Sequence, residues 1–279
     1  MGRWTIGGPQ RLSFEEPVER LDVRLISGRL NVVGVDGPAR IEVAALGTKP
    51  LDVTVDDGTL TVAYEGFRRW RRWTGPFGWF LYGRRRYHAD VSIAVPRATV
   101  ANLRLVSGSL VASALRRGVT IEVTSGRVTL LGLAGHTRAK VVSGPVEALG
   151  VGGDLSLETV SGELVLADST AAQVNAKTIS GSITADLDNP PHDSQIRLET
   201  VSGEITARVR EDSDLDVELR AVSGRVTSAF PEVRPHSTTG RRTAHGLLGA
   251  GTGRLSAYAT SGSISLLRRP VDPDAEADQ

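Results

Sequence analysis

The chain has 279 residues, 40% hydrophobic and 23% charged, with 33 basic and 32 acidic side chains and a formal net charge of +1. These proportions belong to a globular protein and exclude a collagen-like or wholly disordered chain. The absence of cysteine excludes a disulfide scaffold, a thiolate-held zinc or iron–sulfur centre and a cysteine nucleophile. The opening, Met1 to Pro9, has no continuous apolar core of signal-peptide length, and no later run approaches the roughly 20 apolar residues of a membrane span. The expectation is a cytoplasmic protein.

In chain order, Leu21, Val23 and Leu25 alternate with polar residues ahead of Ser27-Gly28, and Leu30 and Val32 resume the alternation after it. Period two is the mark of a strand with one buried face. Further alternating strands are predicted at Ile41/Val43, Val53/Val55, Leu60/Val62 and Val91/Ile93/Val95, the last closed by Pro96. The Ser-Gly pair then recurs at Ser107, Ser125, Ser143, Ser161, Ser180, Ser202, Ser223 and Ser261, in steps of 18, 18, 18, 19, 22, 21 and 38 residues. Six, four and two residues before the serine stand sets such as Ala101/Leu103/Leu105, Val119/Ile121/Val123 and Leu155/Leu157/Thr159. Three and five residues after it stand Leu110/Ala112, Val128/Leu130 and Leu164/Leu166. Each unit is two short strands joined at a Ser-Gly corner. The doubled last step holds Pro231, Pro235 and the Gly-rich run Gly246 to Gly253, so residues 231–253 read as an insertion or irregular coil. Residues 271–279, with Asp272, Asp274, Glu276 and Asp278, read as a disordered acidic tail.

Neither strand of such a unit buries its apolar face alone, so the units must stack. The prediction is an all-β, single-domain β-solenoid over residues 1–270, a single-stranded β-helix of about 18 to 22 residues per coil, with coils about 4.8 Å apart. Gly118, Gly135 and Gly152-Gly153 mark a second corner, which gives two unequal faces rather than the three equal ones of a hexapeptide prism. Glycine after serine suits a corner that needs positive φ or lacks room for a Cβ. The stacked serines are expected to form a hydroxyl ladder, and the opening strands to cap the stack against end-on pairing.

One stretch, inserted at 66–88, does not fit the core. Residues 67–87 hold eight of the thirteen aromatics and seven arginines, with no acid between Glu65 and Asp90. Without those seven charges the remainder carries −6, so the near-neutral total conceals a basic patch on an acidic body. Gly75-Pro76 and Gly78 break a helix and favour a protruding hairpin or loop. The candidate interaction residues are Arg68, Arg69, Trp70, Arg71, Arg72, Trp73, Phe77, Trp79, Phe80, Tyr82, Arg84, Arg85 and Arg86. Tryptophan flanked by arginine suits a membrane interface carrying anionic lipid, and equally a protein interface or self-association. The third alternative is that the loop folds back over the solenoid and buries its aromatics in cis. No nucleic-acid recognition motif accompanies it, and nucleic acid is not expected as a partner.

Other chemistry is thin. The five histidines lack metal spacing, no serine sits in a nucleophile motif, and the Gly246–Gly253 run lacks the lysine of a phosphate loop. No cofactor, metal, catalytic residue or small-molecule substrate is assigned. Glu147, Glu158, Glu163, Glu199 and Glu204 fall along coil faces, as in glycan-processing β-helices, but Ser182 interrupts the row of Glu163 and Glu204. A solvated outer face is the stronger reading.

The V-S-G-x-[ILV] units, the opening Leu25-Ile26-Ser27-Gly28-Arg29-Leu30-Asn31-Val32 and the strand ending Val95-Pro96 resemble the bacterial putative-adhesin, or toast-rack, family of β-strand repeat proteins, actinobacterial members especially. The resemblance covers residues 10–270 and carries no catalytic motif. It implies a single-stranded β-helix and a connection with envelope-stress modules of the phage-shock type. The expected function is a non-enzymatic interaction scaffold that presents the aromatic and arginine-rich loop to the inner membrane face or to an envelope-stress protein. A self-assembling, bactofilin-like solenoid is the alternative, and a carbohydrate-active β-helix enzyme the more remote one.

Overall fold

The computed structural model describes residues 2–64, 86–187, 193–238 and 241–270. These residues form strands and turns, and the chain builds two compact units, Met1–Ser143 and Gly144–Gln279. Both are stacks of β-coils, the fold class expected from the repeat. The acidic tail at 271–279 lies outside the described residues.

In Met1–Ser143 the strand Arg20–Val35 runs parallel to Val100–Ser113, which runs parallel to Val119–Leu131, with Ser27, Ser107 and Ser125 in one line. His136–Ser143 extends one face of this stack, Ser143 opposite Ser125. On the other side of Arg20–Val35 the pairing changes direction. Thr59–Tyr64 and His88–Pro96 lie parallel to its two halves. Leu51–Asp56 and Gly2–Ile6 then continue one face antiparallel, while Arg40–Leu46 and Gln10–Ser13 do so on the other. The reversal is written locally at Asp57-Gly58, a two-residue loop with both φ angles positive, 46° and 67°, the geometry of a tight hairpin turn. These antiparallel strands are the cap foreseen for the opening residues. Trp4 and Phe14 close it edge to face at 5.2 Å.

In Gly144–Gln279 one face stacks Asp154–Ser161, Gln173–Ser180 and Gln195–Ser202 in parallel. Strand order then departs from sequence order. The next strand is Gly253–Ser261, and Leu215–Ser223 lies beyond it. The second face agrees, with Val146–Leu149, Leu164–Ala167, Ile183–Leu187, Ile205–Arg210, Ile264–Arg269 and Val226–Ser228 in that order. The chain thus skips one coil position at residues 215–228 and later returns to fill it. Between these passes, Arg241–Leu248 pairs antiparallel with Leu215–Ser223, and Arg234–Thr238 pairs antiparallel outside it. The stretch read as an insertion is therefore a hairpin that closes the stack, with Pro235 on its outermost strand, where a proline blocks further pairing. The turn that leads back is latched by Asp214, whose carboxylate accepts the Ala250 N–H at 2.7 Å.

The corners explain the repeat. Along Gly144–Gln279 each corner glycine donates its N–H to the serine carbonyl of the next coil: Gly144 to Ser161, Gly162 to Ser180, Gly181 to Ser202, Gly203 to Ser261 and Gly262 to Ser223, at 2.8 to 3.1 Å. These rungs are backbone, where the sequence had suggested serine hydroxyls. A hydroxyl does assist from inside the corner: buried Thr200 donates to the Gly181 carbonyl at 3.2 Å. At Gly181 φ is +156° and an added Cβ would lie 2.0 Å from the Gly162 carbonyl oxygen, so both conformation and space demand glycine. The inward rows are buried as read, for example Leu155 and Leu157, and Ile196 and Leu198, and Leu255 and Ala257 of the returning coil are buried with them.

A Cβ at Gly181 collides with backbone that cannot rotate aside. Gly181→Ala is therefore expected to cost about 3 kcal/mol or more in urea unfolding. Gly37→Ala, where no atom lies within 4 Å of the added Cβ, should change stability by less than about 1 kcal/mol.

Candidate functional site

Of the thirteen candidate interaction residues, Arg68 through Arg85 lie outside the described residues; Arg86 is exposed in a turn. What the structure shows is where the stretch is rooted. Leu60 and Val62 lie opposite Leu21 and Val23, and Val91 lies opposite Leu30. Thr59–Tyr64 and His88–Pro96 are thus the two halves of one coil, and His88 and Ala89 stand opposite Ser27 and Gly28. The aromatic and arginine-rich stretch leaves and re-enters the coil at the place where its neighbours carry Ser-Gly.

The root is tied on both sides. Tyr64 is buried and donates its hydroxyl to the Tyr87 carbonyl at 2.6 Å, and the two rings meet edge to face at 5.2 Å. Burial pushes the Tyr64 phenol well above its usual pKa, with the nearby Tyr87 acting in the same direction, so it stays a neutral donor. Tyr87, counted with the segment's aromatics, therefore packs in cis. Lys49 N–H reaches the Arg86 carbonyl at 3.1 Å and Gly47 N–H the His88 carbonyl at 2.7 Å. Asp90 contacts His88 Nε2 at 3.2 Å and accepts the Arg29 N–H at 3.0 Å.

The outward rows of Gly144–Gln279 are largely laced by ion pairs. Glu199 holds Arg197, and Lys177 at 3.5 Å, and Glu218 holds Arg220, and Arg254 at 3.3 Å. On the second face Asp186 takes Arg208, and Arg269 Nη1 at 3.5 Å. Hydrogen bonding to Arg208 holds the Asp186 carboxyl below the usual carboxylate range despite its partial burial. Glu163 and Glu204 are exposed and two coils apart, with Ser182 between them. Among the described residues no group of three His, Cys, Asp or Glu is placed to hold a metal ion.

One row was not anticipated. The residue just before each corner serine points outward by the alternation, yet it is aliphatic at Val160, Ile179, Val201 and Val222, which are 45%, 48%, 46% and 38% exposed. Thr260 takes the position in the returning coil. Stacked at about 4.8 Å per coil, these five side chains form a ridge about 20 Å long. The signal was in the sequence: the V of V-S-G breaks the polar character of every other outward position on that strand.

The family described as Toastrack DUF4097 matches residues 34–267 of the chain. No curated protein matches it. Among solved structures, a "putative adhesin" from Bacteroides fragilis is 13% identical, with 93% of this chain and 97% of that one covered and a TM-score of 0.48. A "putative adhesin" from Parabacteroides distasonis is 12% identical, over 95% and 97% of the two chains, with a TM-score of 0.36. A "putative lipid binding protein" from the same organism is 14% identical, over 95% and 98%, with a TM-score of 0.31.

Removing the Tyr64 hydroxyl leaves the Tyr87 carbonyl without this donor beside a buried ring. Tyr64→Phe is expected to lower stability by about 1 kcal/mol in urea unfolding. It should also speed amide exchange at Tyr87 and His88 while leaving the Ser107 and Ser125 corners unchanged; uniform acceleration would show that the hydroxyl does not act at the root.

Proposed function

Since the chain belongs to the toast-rack family, we propose that it is a non-enzymatic binding scaffold whose contacting element is the aromatic and arginine-rich stretch 66–88, and that the surface contacted is an anionic membrane. The observation that carries this reading is the root: both ends of the stretch are held by strands of one coil, and Tyr64 bonds Tyr87 across them. Rigid β-structure thereby carries a chemically distinct segment, the usual arrangement for a binding loop.

The composition of the segment favours an anionic interface. Trp70, Trp73, Trp79 and Phe80 are the residue types that settle at headgroup depth. The seven arginines contribute about 1 kcal/mol each near an anionic surface. On this reading the stretch docks peripherally at the inner membrane face. Of the carboxylates along the coil faces, Glu199 is engaged by Lys177 and Arg197.

Co-sedimentation with phosphatidylcholine vesicles, with and without phosphatidylglycerol, tests the reading. Binding is expected only with phosphatidylglycerol and should weaken as salt rises. Joint replacement of Trp70, Trp73 and Trp79 by alanine should lower the bound fraction about tenfold. Equal binding by the triple variant, or no binding by the intact protein, overturns the membrane reading, and the second outcome directs attention to a protein partner.

A further inference from the structure

The ridge before the corner serines carries a charge pattern that neither the family nor the aromatic segment accounts for. In spatial order its coils read Val160, Ile179, Val201, Thr260 and Val222. Two residues past each serine the same coils carry Glu163, Ser182, Glu204, Ser263 and Arg225. One end of the ridge is acidic and the other basic. Glu163, Glu204 and Arg225 are exposed, and none has a side-chain ion pair among the described residues. In Met1–Ser143 the same position is filled by buried Ile26, half-buried Val106, exposed Thr124 and exposed Val142, so the exposed aliphatic run within that unit is a single residue. The long strands of that unit pass straight through the corner, whereas in Gly144–Gln279 the strands end at the serine.

We propose that this ridge is a self-association surface and that its occupant is a second copy of the same chain, laid antiparallel about a two-fold axis through Val201. A two-fold axis in the plane of contact reverses the order of the coils and keeps each lateral row facing itself. Val160 then meets the partner copy's Val222 and Ile179 meets Thr260, while Val201 meets its own counterpart. The same operation sets Glu163 against Arg225 twice, once at each end. Two opposite-charge pairs flanking an aliphatic seam fix register and orientation. A two-fold axis along the ridge would instead keep the coil order and turn each lateral row to the opposite side, so Glu163 and Arg225 would not meet. Glu204, on the axis, faces its counterpart, the one repulsive element in the design. The ridge is narrow, and its short contact corresponds to a weak, concentration-dependent dimer rather than an obligate one.

Sedimentation equilibrium of the full chain over a concentration series provides the test, with circular dichroism on each variant to confirm the β-fold. The intact protein should show a monomer–dimer equilibrium. Glu163→Arg and Arg225→Glu should each weaken it about tenfold, since each creates two like-charge pairs per dimer. The double variant should return to near the starting affinity, because reversal restores both pairs. Val201→Lys should abolish the dimer, and Glu204→Gln should tighten it. A monomer at every concentration overturns the proposal. So does dimerisation indifferent to Val201→Lys, or a double variant no better than the singles.

Discussion

Along the corners of Gly144–Gln279 glycine N–H groups reach the serine carbonyls of adjoining coils, and at Gly162, Gly181, Gly203, Gly224 and Gly262 an added Cβ would lie 2.0 Å or less from the neighbouring glycine's carbonyl oxygen. That contact sets the spacing of the corners, and the spacing sets the rest. It holds neighbouring coils in register, so that Leu157, Ala176, Leu198, Ala257 and Leu219 fall in one buried row. Branched aliphatic and small side chains suffice for a core this narrow, and the described mid-stack aromatic Tyr258 lies on the outer face, 40% exposed. The second rung at each corner, such as the Ile183 N–H to Glu204 carbonyl at 2.9 Å, passes the register from one face to the other.

The same rule makes the corner the natural place for departures. A coil tolerates a break there because strand pairing on either side is already complete. The 66–88 stretch uses this in the coil formed by Thr59–Tyr64 and His88–Pro96, where His88 and Ala89 stand in for Ser-Gly and Tyr64 ties the root. In Gly144–Gln279 the corner serves differently: strands stop at the serine, and the preceding residue is left on the surface as one step of an aliphatic ridge. The outer faces carry ion-pair ladders, of which Asp186 with Arg208 and Arg269 is the most enclosed.

Much of this was legible in the sequence because period two and a fixed Ser-Gly interval are consequences of the stack itself. Leu155/Leu157 and Ile196/Leu198 could be assigned inward without coordinates, and they are. Strand direction was not legible from alternation, which is the same for parallel and antiparallel pairs. Only Asp57-Gly58 records the reversal at the amino-terminal cap. Coil order was not legible either. The 38-residue step before Ser261 says that something intervenes, but every coil edge offers the same glycine N–H and serine carbonyl, so the local code cannot say which edge the last coil meets. The hairpin Arg234–Leu248 decides it by occupying the outer edge of Leu215–Ser223. The candidate ridge escaped notice for a related reason: valine before Ser-Gly reads as part of the corner motif, and only its exposure shows that it serves no core.

The claim that corner rungs place each coil regardless of its order in the chain is tested most directly by cross-linking, which the absence of native cysteine makes clean. Glu199 and Tyr258 face each other across adjacent strands, whereas Arg220 lies one strand further on. Under mild oxidation at high dilution, the Glu199→Cys/Tyr258→Cys pair should close a disulfide, since paired strands bring Cα atoms to about 5 Å, within the range a disulfide spans. The Glu199→Cys/Arg220→Cys pair, at about 10 Å, should remain reduced. The reverse outcome, bridging at 199 and 220 with none at 199 and 258, would mean that the coils stack in sequence order and would contradict the account.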